Sequence, residues 1–330
     1  MLTQSLPAVA EAYGADQRRE IAAAVAAVRR LWGRVGDDFD ASYARVEPQV
    51  LAVLDLAQSR IIAGASEYIP AVLAETNPRA LSRRPEYDLQ PWALVGTAGD
   101  GNPTDTLAYS AVIHAKERVA AGVSAMQALE SAGSWLGTAA GTLLSDTGRT
   151  VEKVTASSVR AGTFVRMLQP PSCGRCVILA GRKTRRQTAF ARHPGCDCRN
   201  IPAAESIADD LTVDPGEYLD SLDDQALAKA LGSKSNARAY RDGADPAQIV
   251  NAYRKSGGVR TAQVYGRTVK YTTEGTTRRG IANWRMSQAG YQKAGERRLR
   301  APRLMPESIY QIAESPADAR RLLHLYGWVL

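Results

Sequence analysis

DQRREIAAAVAAVRRLWGRV, residues 16–35, has the periodicity that decides the fold class. Ile21, Val25, Val28 and Leu31 to Trp32 recur at helical spacing, and Arg18, Arg19, Arg29 and Arg30 cover the opposite side, so the stretch predicts an amphipathic α-helix. Working outward, Asp40 or Ser42 is the expected N-cap of a second helix, with Pro48 tolerated near its start. Its core face is Val50, Leu54, Ala57, Ile61, Ala65 and Tyr68, and Pro70 is expected to end or kink it. Residues 77–103 carry four prolines and three glycines and read as a long ordered loop, a candidate partner contact. Helix resumes over 104–121. Ser124 caps the next helix, on which Gly133, Gly137 and Gly141 share one face and allow another backbone to approach closely, within the chain or from another subunit. A further helix is expected from about Thr147 to Met167.

Composition narrows the class. The chain has 330 residues and a net charge of +8; it is 45% hydrophobic but only 6% aromatic. Much Ala and few aromatics favour packed helices over a β-sandwich. The N-terminal MLTQSLPAVAEAYG lacks a basic region and an apolar core, so it does not read as a secretory signal. The longest uncharged segment, Ser131 to Ser145, is shorter than a membrane span and rich in Gly, Ser and Thr; it reads as a buried helix. Beyond residue 203 the pattern gives short helices near Tyr218–Leu231, Pro246–Tyr253, Pro306–Ala313 and Pro316–Tyr326. Val259–Tyr265 and Thr268–Thr273 alternate around Gly266-Arg267, which predicts a β-hairpin. The expected architecture is mainly α: an elongated multi-helix body at 1–170, a small zinc-knuckle segment at 171–203, and a mixed α/β, basic C-terminal region at 204–330.

All four cysteines fall in one short stretch: Cys173-Gly-Arg-Cys176, a sixteen-residue spacer, then His193-Pro-Gly-Cys196-Asp-Cys198. Two thiolates in CxxC reach one metal from a single turn, which Gly174 is expected to permit. The returning half offers three more ligands, so five groups compete for four tetrahedral positions. Cys173, Cys176 and Cys198 take the first three, and His193 or Cys196 the fourth. A closed shell of this kind is a structural Zn2+ site, with no open position for water. Disulfides from the same cysteines are the alternative, but nothing in the sequence points to export. Deaminase spacing fails at His114-Ala-Lys-Glu117, and HExxH is absent. For a protease, His114 and His324 are the available bases, both in apolar helical contexts, and no G-x-S-x-G elbow is present.

The pattern CxxC, a Gly (Gly181), an aromatic (Phe190), then His193-Pro-Gly-Cys196-Asp-Cys198-Arg199 and Pro202 resembles the C-terminal signature of Mu F-like phage head morphogenesis proteins. The phrases Thr273-Glu-Gly-Thr-Thr-Arg-Arg-Gly280 and Leu304-Met-Pro-Glu-Ser-Ile-Tyr310 are similar to minor capsid proteins of actinobacterial phages, some of them labelled capsid maturation proteases. The resemblance implies a low-copy head protein associated with the portal inside the head, present in the virion and in the host cytoplasm during assembly. It implies no defined catalytic activity.

Residues 254–303 hold thirteen Lys and Arg against Glu274 and Glu296, a net +11 that exceeds the charge of the whole chain. Arg267, Lys270, Arg278, Arg279, Arg297, Arg298 and Arg300 are the candidate contacts. Arg182, Lys183, Arg185, Arg186 and Arg192 form a second cluster, and Tyr265, Tyr271, Trp284 and Tyr291 interleave with the first. Non-specific binding of packaged double-stranded DNA through phosphates suits this field. So does docking to an acidic face of the portal, capsid or scaffold proteins, and a solvated surface without a partner is the third reading. No groove-reading motif is present. Neither a membrane nor a small-molecule substrate is expected. The alternatives to a minor head protein are a maturation protease and a zinc-containing DNA-binding protein unrelated to phage.

Overall fold

In the computed structural model the opening amphipathic stretch forms α1 (Ala8–Trp32), followed by α2 (Phe39–Thr76), α3 (Pro78–Leu81), a 3-10 turn at Pro91–Leu94, α4 (Thr104–Ala120) and α5 (Ala125–Ser158). Next come β1 (Thr163–Met167), α6 (Gly174–Ala180), β2 (Lys183–Arg185), β3 (Arg199–Ala203), α7 (Glu205–Ala208), α8 (Pro215–Asp220) and α9 (Asp224–Leu231). The chain continues through α10 (Lys234–Arg241), α11 (Pro246–Ala252), β4 (Val259–Val264), β5 (Arg267–Glu274), α12 (Ile281–Gln288), β6 (Arg298–Leu304), α13 (Pro306–Ile312) and α14 (Pro316–Leu325). The structure describes residues 6–180, 182–185, 192–193, 196, 198–208, 211–253, 258–264, 266–274, 281–288, 290 and 298–329, with the backbone alone at 281–283, 285 and 298–301. The protein is mainly helical, with two small antiparallel sheets. No helix among the described residues is long and apolar enough to cross a membrane. Two compact units are formed: Leu2–Gln169 with Arg182–Val213, and Pro170–Gly181 with Asp214–Leu330.

In the first unit α1, α2 and α5 pack on one another, and α4 packs on α2 and α5. Val50, Leu54, Ala57, Ile61, Ala65 and Tyr68 are all buried, as the periodicity of α2 requires. The helix differs from expectation at both ends. Its N-cap is Asp38, whose carboxylate accepts from Ala41 N at 3.1 Å. Asp40 lies inside the first turn and instead pairs with Lys116 at 2.6 Å, while Ser42 bonds back to the Asp38 carbonyl. Pro70 does not end the helix, which continues to Thr76. A proline inside a helix costs about 3 kcal/mol. Beyond it Val72 and Leu73 are both 0% exposed, and each contributes about 1.5–3 kcal/mol on burial, enough to carry the helix through. Pro48 and Pro70 both sit on the exposed face.

The glycine face of α5 meets α1 within the chain. A β-carbon at Gly133 would lie 2.6 Å from Trp32 Cδ1, one at Gly137 2.3 Å from Arg29 Nε, and one at Gly141 3.6 Å from Val25 Cγ2. The expected separate helix from Thr147 to Met167 does not exist. Residues 147–158 continue α5, the backbone turns at Arg160 (φ 53°) and Gly162 (φ 81°), and Thr163–Met167 is a strand. All five strand residues are buried, so this β-branched and aromatic run is the centre of a three-stranded sheet, ordered β2-β1-β3.

Segment 77–103 is pinned to the helices by one fully buried side chain. Gln58 Nε2 donates to Leu94 O (3.1 Å), Thr97 O (3.0 Å) and Thr147 Oγ1 (3.1 Å), and Gly96 N donates to Gln58 Oε1 (2.9 Å).

In the second unit the helix expected over Tyr218–Leu231 is two helices, α8 and α9, capped by Asp214 and Asp223. β4 pairs antiparallel with β5, and β5 with β6; Arg267, expected in the hairpin turn, is instead the first residue of β5, opposite Val264, and Tyr265 lies outside the described residues. The core here gathers Ile249, Met305, Ile309, Leu323 and Trp328.

Candidate metal centre

Cys173 and Cys176 bracket the first turn of α6, where Val177 N donates to Cys173 O at 3.0 Å. Gly174 is required there by packing and not by a left-handed turn: a β-carbon would lie 2.7 Å from Ala230 O and 2.8 Å from Val250 Cγ2. Cys176 is 2% exposed, Cys196 3% and Cys198 0%, whereas Cys173 and His193 are half-buried. No disulfide is present among the described residues.

The ligand atoms form two overlapping groups. Those of Cys173, Cys176 and His193 all lie within 4.8 Å of one another, as do those of Cys176, Cys196 and Cys198. At a metal–sulfur distance of about 2.3 Å, tetrahedral donors stand about 3.8 Å apart, so this clustering is compatible with one metal ion. The donor chemistry fits as well. Four sulfurs and an imidazole, without a carboxylate in either group, suit a soft or borderline ion and not magnesium or calcium, which take oxygen ligands. Cys176 is common to both groups.

The returning half is anchored to α5. Cys196 N donates to His193 O at 3.1 Å. The buried Arg149 guanidinium donates to Cys198 O at 2.9 Å, to Cys196 O, and to Asp146 Oδ1 at 2.7 Å. Asp146 also pairs with Arg192, the residue before His193. Arg199, which follows Cys198, is 1% exposed. It lies 3.6 Å from Glu152 Oε1, donates to Ser145 O (3.2 Å) and Gln17 Oε1 (3.4 Å), and starts β3 opposite Met167. Glu152 is fully buried and accepts from Tyr13 Oη (2.8 Å) and Asn200 N (3.3 Å). Burial, reinforced by Glu152, pushes the Tyr13 hydroxyl well above its usual range and keeps it a neutral donor.

Sequence reasoning missed Asp146, Arg149 and Glu152. Spacing alone does not mark them, because every residue from Leu143 to Arg149 is buried, on all sides of the helix.

The other predicted contacts divide. Arg182, Lys183 and Arg185 are exposed, the last two on edge strand β2. Arg267 and Lys270 are exposed on β5, and Lys270 lies 3.6 Å from Glu307. Arg298 and Arg300 belong to β6, and only their backbone is described, while Arg186, Arg278, Arg279 and Arg297 lie outside the described residues, as do Gly181 and Phe190. Arg303, counted in the basic field, is buried instead. It donates to Tyr326 O, Gly327 O (2.7 Å) and Gln248 Oε1 (3.4 Å) and stacks 3.7 Å from the Trp328 ring centroid. Burial pushes its pKa down to about 9.

His114 Nε2 lies 3.1 Å from Ser131 Oγ, and its ring stacks on Trp135. No carboxylate among the described residues hydrogen-bonds His114. Set beside protein-family models, curated proteins and solved structures, the chain matches none of them.

Proposed function

We propose that the chain is a minor head protein of a tailed phage, an assembly component built around a structural zinc site. The observation that carries this reading is the gathering of Cys173, Cys176, His193, Cys196 and Cys198, the residues of the Mu F-like pattern, within metal-binding reach. Arg199 of the same pattern has a physical role too, since its buried ion pair with Glu152 begins the strand that follows the ligands. Zinc is the ion that thiolates and imidazole select in a closed four-ligand shell. It would crosslink the segment without reacting.

The helical unit is the proposed contact for the portal, with capsid or scaffold proteins as further neighbours. The exposed Arg182, Lys183, Arg185 and Arg267 supply positive charge for packaged double-stranded DNA. The proposed location is the capsid interior near the portal, after assembly in the host cytoplasm.

The serine–histidine contact seen among the described residues is that of Ser131 with His114. Their contact joins two helices at positions past the first turn of each, where the backbone N–H groups near Ser131 are engaged in the helix and unavailable as an oxyanion hole. The assembly reading is therefore preferred. Quantitative mass spectrometry of purified particles tests it. The expected result is a low copy number, at or below that of the portal protein, with intact termini. Absence from mature particles overturns it.

A further inference from the structure

We infer that Asp146 and Arg149 of α5 are positioning residues for the metal, holding the returning half of the site in binding geometry before an ion arrives. The inference rests on reading the five clustered residues as a metal site. Its own basis is a set of contacts inside the helical unit. Arg149 donates to the carbonyls of Cys198 (2.9 Å) and Cys196, two residues whose thiols are both buried. Asp146 receives Arg149 at 2.7 Å through one oxygen and Arg192 through the other. The two ends of the ligand run, Arg192 before His193 and Cys198 after Cys196, are thus tied to one turn of one helix. A helix held by packing along its length is a rigid support, and outer contacts of this kind orient ligands and tune affinity.

The charge matters as well as the geometry. Each thiolate added to a buried shell brings negative charge that must be balanced. Arg149 is 5% exposed, and its guanidinium lies against the backbone of two ligand residues. Its ion pair with Asp146 fixes where that positive charge points. The exposed side of the arrangement is Arg192, whose side chain is 36% accessible.

The test uses the full chain, stripped with a chelator under reducing conditions. Co2+ is titrated in first, because its thiolate charge-transfer and d–d bands report sulfur ligands and tetrahedral geometry. Zn2+ affinity is then measured against a chromophoric chelator. The variants are Arg149→Met, Arg149→Lys, Asp146→Asn and Arg192→Gln, with Gln58→Met as a control that removes a buried clamp in the same unit without touching the ligand run. Arg149→Met is expected to weaken zinc about 10- to 100-fold. Arg149→Lys should recover part of that loss, Asp146→Asn and Arg192→Gln should lose about tenfold, and Gln58→Met should lower the melting temperature without changing affinity. Wild-type affinity in both Arg149→Met and Arg192→Gln overturns the inference and leaves the metal reading standing. A wild-type chain that binds neither Co2+ nor Zn2+ sinks the metal reading and this inference with it. If Arg149→Met fails to fold by circular dichroism, Arg192→Gln, at a partly exposed position, carries the test.

Discussion

Cys176 is the one side chain shared by both ligand groups, and it is almost fully buried. Cys176→Ser should therefore abolish metal retention and destabilise the chain by more than about 2 kcal/mol, measured by metal content and urea unfolding. The sequence left the fourth position open between His193 and Cys196. A Cys196→Ser chain that keeps its metal, beside a His193→Ala chain that loses it, would assign the position to His193. These five residues were legible because ligand spacing is written locally. Asp146, Arg149 and Glu152 were not, because a charged residue on a helix reads as surface until a partner from fifty residues away is seen to cover it. Arg303 misled in the same way: counted with the basic field, it is a core residue over Trp328. Arg303→Met should cost about 2–4 kcal/mol of stability in urea titrations, through lost charged hydrogen bonds and stacking, and leave DNA binding unchanged.

At the scale of elements, the helix pattern was readable and the boundaries were not. Periodicity gave α1, α2 and α4, but nothing local announces that Pro70 is crossed, since the compensation comes from Val72 and Leu73 packing at 0% exposure. Likewise Thr163–Met167 falls at the end of an expected helix, although Thr163, Phe164 and Val165 favour a strand, and β2 and β3 pair with it on either side. The glycine face gives a graded test. Gly133→Ala meets the buried, hydrogen-bonded Trp32 ring and should destabilise by about 1–3 kcal/mol. Gly137→Ala meets the exposed, flexible Arg29 and should cost less. Gly141→Ala finds ordinary contact distance and should stabilise by about 0.5–1 kcal/mol through helix propensity. Thermal or urea unfolding of the three variants reads the order, and equal effects would contradict the α1–α5 crossing.

At the scale of the whole molecule, charge and metal are the two properties a partner would feel. Net charge is plain in the sequence, but its distribution is not: Lys270 pairs with Glu307 and Arg303 is buried, while Arg182, Lys183 and Arg185 are exposed. If the exposed cluster meets DNA, replacing those three residues with Gln should reduce the slope of log affinity against log salt by up to about 3, without sequence dependence. The central claim, that this chain is organised around one structural metal, is tested most directly by its native mass before and after chelation. The account predicts one zinc per chain, lost with chelator or acid, and a clear fall in melting temperature when it leaves. A metal-free native mass, with all four thiols reactive and a melting temperature indifferent to chelator, would contradict it.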